Sequence, residues 1–307
     1  VHAEGCEMRY READIVADTR SSFFIDARAE RMTDYIAMPL RFLSGEIHAV
    51  SWTTTAPGGF SDAEIEALRA LMAPIARVIE IIRLERTATA LLDTYVGNRA
   101  GQRILAGQIR RGHTETMSAA IWLSDLRGFT RLSDTLPPSA VVEVLNRYFD
   151  CQVDPIIEHG GEVLKFMGDG LLAVFPIADG SADATEVCGR VLMAARASRE
   201  RVAAMTFRHG DVDFDRFRFG LALHLGEVLY GNIGGGHRLD FTCIGPAVNL
   251  AARLEKIASD LNRTIVASEG FATAAPESWL NLGEFPIAGF RRAERVYGLI
   301  DETLPSS

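Results

Sequence analysis

The chain has 307 residues, 48% of them hydrophobic and 24% charged, which is globular composition with ample core; it excludes a disordered chain and suits two domains or one large one. With 32 Lys and Arg against 41 Asp and Glu, the formal charge of −9 argues against a general electrostatic grip on nucleic acid or anionic lipid, though not against a local site for an anionic ligand or a bridging metal. No apolar run approaches the roughly 18–20 residues of a membrane helix, and Cys6, Cys151, Cys188 and Cys243 are scattered without a CxxC pair, which argues against a disulfide scaffold or a zinc ribbon.

The chain begins at Val1 rather than Met and carries no signal-peptide pattern, as expected of a piece of a longer cytoplasmic protein. Residues 34–43 and 46–53 read as two strands joined by a tight turn at Ser44-Gly45. Ser61 with Glu64 forms a capping box that opens a helix. Its apolar positions run from Ile65 through Ile82 at helical spacing, past Pro74 and on toward Leu91, Leu92 and Tyr95. This helix either packs on a core or pairs with its copy in a dimer.

From Ser118 the texture changes. Residues 119–123 form a short apolar run, read as a buried strand, and 139–157 are helical up to Gly160-Gly161. Residues 162–167, 168–170 and 171–175 read as strand, turn and strand; 182–204 are Ala-rich and helical. Strand-like pieces follow at 217–223, 228–233 and 239–244, then a helix over 246–257 with Pro246 in its first turn, then three more strand-like pieces ending near Ile300. Strands joined by tight turns among helices predict an α+β fold with a mixed or antiparallel sheet, not a doubly wound parallel one.

Two acidic turns carry chemistry. In LSDLRGFT (123–130), Asp125 ends an apolar strand, and the turn offers backbone N–H groups to an anion such as phosphate. In KFMGDG (165–170), Asp169 sits in a glycine turn, 44 residues further on. Two carboxylates meeting at a sheet edge suit hard divalent cations and substrate phosphates. Taken singly, each aspartate is as well explained as a turn residue bonding its own backbone. Strand parity puts Val163, Lys165 and Met167 on one face, where the lysine needs a polar partner or must snorkel. In FTCIGPAVNLAAR (241–253), Asn249 and Arg253 are i and i+4 and share a helix face, suited to orienting a hydroxyl and clamping a phosphoryl group, or simply solvated. Thr242 stands where a strand approaches that helix.

In this order and spacing, LSDLRGFT, EVLKFMGDG and FTCIGPAVNLAARLE resemble the class III nucleotidyl cyclase catalytic domain, over roughly two thirds of the chain. The resemblance implies a ferredoxin-like palm fold and a head-to-tail homodimer with two shared active sites. The implied reaction turns ATP into 3′,5′-cyclic AMP and pyrophosphate with two Mg²⁺ or Mn²⁺ per site. It assigns the metals to Asp125 and Asp169, and the phosphate cradle to the backbone of Leu126, Arg127, Gly128, Phe129 and Thr130. Base reading falls to Lys165 and Thr242, ribose orientation to Asn249 and transition-state charge to Arg253, all from the opposite subunit. Lysine donating to adenine N1 and threonine accepting from the 6-amino group favour ATP over GTP. One departure is Ala288, where many members carry a phosphate-binding lysine; Arg291 or Arg292 is the candidate substitute. The alternatives are a nucleotide-binding regulatory domain that is catalytically weak, or a guanylyl cyclase.

A lesser resemblance covers the N-terminal part. Its two strands and closing helix are similar to the back half of a GAF-type sensor domain, which implies a small-molecule effector. The expected organisation is therefore a partial GAF-like module at 1–85, a linker helix and transition segment at 86–112, and the cyclase domain at 113–303, with no nucleic acid partner and no membrane span.

Overall fold

The computed structural model describes residues 5–17, 22–110, 112–177, 181–235, 238–275, 277, 279–290 and 292–302. It divides into two compact units, 1–91 and 92–307. Among the described residues no helix is long and apolar enough to cross a membrane.

The first unit holds strand β1 (Met8–Arg11), helices α1 (Glu12–Ala17) and α2 (Ser22–Ala29), strands β2 (Asp34–Arg41) and β3 (Ile47–Thr54), and most of helix α3 (Asp62–Tyr95). The strands form an antiparallel sheet in the order β1-β2-β3. The predicted hairpin is present, with Arg41 opposite Ile47 and Gly45 at φ 88° in its turn. The capping box is formed too: Ser61 N–H donates to Glu64 at 2.8 Å, and Glu64 N–H donates back to Ser61 Oγ at 3.3 Å. Ile36, Met38 and Ile65 make a small core between the sheet and α3. Asp34, fully buried, accepts from Arg9 Nη2 at 2.6 Å and from Phe60 N–H at 3.0 Å. A side chain at Gly59 would lie 2.5 Å from its Oδ2, which is why a glycine closes that corner. β1, α1 and α2, of 4, 6 and 8 residues, are too short to show a clear period in the sequence.

The second unit continues with α4 (Asn98–Leu105), β4 (Thr114–Leu126), α5 (Phe129–Thr135), α6 (Pro138–Glu158), β5 (Glu162–Met167), β6 (Gly170–Pro176) and α7 (Ser181–Ala204). There follow β7 (Phe207–His209), β8 (Val212–Phe214), β9 (Phe219–Gly235), β10 (Arg238–Ile244), α8 (Pro246–Asp260), β11 (Ile265–Ser268), α9 (Glu269–Ala274), β12 (Trp279–Phe285) and β13 (Glu294–Leu299). The main sheet runs β12-β13-β11-β9-β4-β6-β5, with β10 paired to β9. It is mixed: β9 and β11 are parallel, the other pairs antiparallel. Alternation along β4 sends Ala120, Trp122 and Leu126 into the core shared with α6 and α7, and Ala119 and Ile121 toward α8. This is the mixed α+β fold, a sheet flanked by helices, that the motifs predicted.

Two predictions are corrected here. The pieces 217–223 and 228–233 are parts of one 17-residue strand, β9. Gly226, in the gap between those two pieces, pairs with Ala119 inside the ladder; a Cβ there would stand 2.8 Å from Ala247 Cβ and 2.9 Å from His224 Nε2. The glycine marks close packing, not a turn. The second correction concerns strand parity in β5. Val163 pairs with Ala173 and Lys165 with Leu172, so Leu164 is an extra, bulged residue. Val163 consequently joins the α6 side, while Lys165 turns to the opposite face.

The bulge matters because of what lies on that face. In a flat sheet β10 and β5 would be four spacings apart, about 19 Å. Instead Tyr230 and Phe241, in edge contact at 4.8 Å, pack over Met117, Ile121, Leu172 and Val174. The end of β9 and all of β10 therefore form an arm folded across the sheet toward β5. Gly231 permits it: its φ is 151°, and any Cβ would overlap the His113 carbonyl.

Candidate active site

Three groups of side chains collect the residues singled out from the sequence. The first stands at one end of β4. Asp125 lies opposite Gly170 in the β4–β6 ladder, which brings it against Asp169 in the β5–β6 turn. That turn is tight because Gly168 takes φ 67°. Burial raises the Asp125 carboxyl most, followed by the Asp169 and Glu255 charges, up to about 7, and Arg127 opposes the shift. Burial likewise raises Glu255 on α8, against the pull of Arg127, whose Nη1 meets its Oε1 at 2.8 Å. A Cβ at Gly220 would overlap Arg127 Nη2 and come within 2.6 Å of Glu255 Oε1, so this glycine leaves the pair its space.

Glu255 was missed in the sequence, yet it carries a signal. It stands between Ala251 and Ala258 at helical spacing, among the buried residues of α8, where a charge needs a partner.

The turn after Asp125 is only partly free to bind an anion. Arg127 N–H donates to the Arg218 carbonyl at 2.8 Å. Leu126 is buried in the core, as the last residue of β4. Gly128 is the N-cap of α5, in the left-handed conformation at φ 73°. Phe129 and Thr130 begin that helix, so their amides belong to its first turn, where N–H groups lack intrahelical partners.

The second group lines a cavity of about 860 Å³. Lys165, Thr242 and Asp240 all face it, along with the 93–99 segment and Glu162. Lys165 Nζ donates to Asp240 Oδ2 at 2.9 Å, the polar partner a lysine between apolar neighbours requires. Asp125 and Asp169 are not among the lining residues. The third group is the outer face of α8, where Asn249 and Arg253 are both exposed. One chain thus does not bring the expected residues into a single site.

Ala288 is exposed in the β12–β13 connection, beside buried Ile287. Arg292 is exposed, and Arg291 lies outside the described residues.

Among the described residues, no group of three or more His, Cys, Asp or Glu could by itself hold a metal ion. Asp125 and Asp169 nevertheless fit a hard cation of the kind that takes one or two carboxylates and completes its shell with water and phosphate oxygens. Their mutual repulsion, visible in the raised Asp125, is what such an ion relieves.

The sequence profile described as "Adenylate and Guanylate cyclase catalytic domain" matches residues 113–278. An adenylate cyclase of Anabaena cylindrica is 30% identical over 175 residues, 56% of this chain and 34% of that protein. The chain spans about a third of the length of the first curated relatives it matches. A bacterial light-regulated adenylyl cyclase superposes with TM-score 0.58 at 26% identity, over 75% of this chain and 65% of that one. The guanylate cyclase domain of RhGC from Catenaria anguillulae, in complex with GTP, shares the fold at TM-score 0.50 and 18% identity, over 60% of this chain and 96% of that one. The ordered motifs, the mixed sheet and the paired aspartates at its edge agree with the profile match: the chain belongs to the adenylate and guanylate cyclase catalytic-domain family.

Proposed function

We propose that this chain is an adenylyl cyclase that converts ATP to 3′,5′-cyclic AMP and pyrophosphate at two sites shared across a homodimer. The observation that carries the reading is the approach of Asp125, near the end of β4, to Asp169 in the β5–β6 turn. Domains of this family are generally divalent-metal dependent. Asp125 and Asp169 would hold two Mg²⁺ or Mn²⁺, which supply acidification of the ribose 3′-hydroxyl and neutralisation of the triphosphate.

The chain's own residues do the rest. Amides of Phe129 and Thr130 receive phosphate oxygens, at the positive end of α5. Lys165 donates to adenine N1 and Thr242 accepts from the 6-amino group; guanine presents the reverse pattern at that edge. Asn249 orients the ribose, and Arg253 meets the charge that builds as the 3′-oxygen attacks the α-phosphorus and pyrophosphate leaves. The separation of these groups on one chain supports a shared site, with the second copy supplying Lys165, Thr242, Asn249 and Arg253 opposite the aspartates. Incubating the purified chain with ATP and Mn²⁺, and in parallel with GTP, decides the reading by mass spectrometry. Cyclic AMP as the main product supports it, cyclic GMP as the main product corrects the base assignment, and bound ATP without product refutes the enzyme.

For residues 1–85 the reading is a sensor-like regulatory module open to a small-molecule effector. Their hairpin and closing helix support it. Deletion of 1–85 with unchanged activity and unchanged dimerisation removes it.

A further inference from the structure

We infer that Asp240 is a positioning residue for base selection: it holds the Lys165 ammonium over Thr242, so that the lysine meets the base already aimed. This rests on the proposed role of Lys165 as the base-reading donor.

Four observations carry it. The Leu164 bulge turns Lys165 away from the α6 core and onto the face where the β9–β10 arm lies. The arm is fixed there by a second cross-link to the same strand: Tyr230 O–H donates to the Glu162 carboxylate at 2.8 Å. Arg99 and Arg103 flank that contact, with their guanidinium groups 5.9 Å and 5.2 Å from the Tyr230 ring centre. Asp240 and Thr242 are i and i+2 on β10, opposite Ile233 and Gly231, and so present to one face. Finally, Lys165, Asp240 and Thr242 line one cavity, with the Lys165–Asp240 contact at 2.9 Å.

The chemistry of lysine explains why the partner is needed. Its ammonium is a point charge with three rotatable donors on a flexible four-carbon stem, and it has no intrinsic direction. Asp240 occupies one donor and thereby restricts the stem, leaving two donors for a base. A contact this exposed, 44% and 46% for the two side chains, adds little to fold stability. Its value is in pre-organisation, which appears as affinity rather than as turnover.

The test is a double-mutant cycle on the full chain, read by KM and kcat for ATP and GTP and by the Kd of α,β-methylene-ATP. Asp240→Ala should raise the ATP KM and the analogue Kd about tenfold, with kcat within about twofold, and lower the ATP-over-GTP preference. Asp240→Asn keeps an acceptor oxygen and should recover most of the loss. In a Lys165→Ala background, Asp240→Ala should add nothing to KM, analogue Kd or base preference, because its effect on the base runs through the lysine. Unchanged KM and Kd in Asp240→Ala, or effects that multiply in the double variant, would overturn the positioning role while leaving the base assignment standing. If Lys165→Ala itself leaves KM and base preference unchanged, both fall together.

Discussion

Asp125 on β4 and Asp169 in the β5–β6 turn stand close enough for the Asp169 charge to raise the Asp125 carboxyl, although 44 residues separate them in sequence. The first consequence concerns catalysis. Asp169→Ala should lower cyclic AMP formation about a hundredfold or more, since charge stabilisation of several kcal/mol disappears with the cation site. The fold should be retained, because the residue sits in an open turn. A melting curve alongside the rate assay checks both, and retained turnover removes the metal assignment.

Stability against pH reads the same pair from the other side. Asp125 is raised in the folded chain, from 3.8 to about 7, so between about pH 4 and pH 7 the folded state binds more protons than the unfolded one. Metal-free stability from this group therefore falls as pH rises through that window. Asp125→Asn should melt higher than the unsubstituted chain, by an amount that grows from pH 5 to pH 7 and then levels off. At pH 8 we expect about 1–2 kcal/mol. Thermal scans in a chelator across that range are the measurement; equal melting temperatures at pH 8 would remove the carboxylate strain.

Complementation examines the shared site. Asp169→Ala and Arg253→Ala should each be inactive alone. Mixed and allowed to exchange, half the dimers pair one of each and carry one intact site, so activity should return to about a quarter of the original. No recovery in dimers confirmed by sedimentation contradicts a site built from two chains.

In the first unit, Asp34 depends on Arg9. Burial pushes its carboxyl up, but the Arg9 hydrogen bond, the Phe60 amide and the Arg9 charge outweigh this and hold it below its ordinary value. That stabilisation is present above the unfolded value near 3.8 and is lost as pH falls below it. Arg9→Ala leaves a fully buried carboxylate unpaired and should cost about 3 kcal/mol. Urea unfolding at pH 7, followed by far-UV circular dichroism, reports the loss.

Gly231→Ala tests the arm. The added Cβ would overlap the His113 carbonyl at a φ of 151°, so β4 and β9 must part locally. We expect about 2–3 kcal/mol of destabilisation. ATP affinity should fall as well, because Lys165 loses Asp240. Intact affinity in a folded variant would show that the arm does not set the lysine.

By itself the sequence determined a good deal here. Turn chemistry marked the Ser44-Gly45 hairpin and the Ser61–Glu64 capping box. Proline placement marked the start of α8, and the order of three motifs marked the family. Each of these is written in neighbouring residues, where backbone conformation and helical spacing act directly. The remaining features depend on pairing between distant segments. Leu164 bulges because of its register against β6, and this alone reverses the face of Lys165. The two strand pieces on either side of Gly226 are one strand, since its missing Cβ leaves space for Ala247 and His224. The amide of Arg127 is taken by Arg218, and Glu255 reaches Arg127 from another helix. Asp240 meets Lys165 because an arm folds across a sheet in which three strands separate them. A periodic pattern gives the face of a residue only while its strand stays in register; bulges, arms and buried ion pairs follow from contacts that no local window contains.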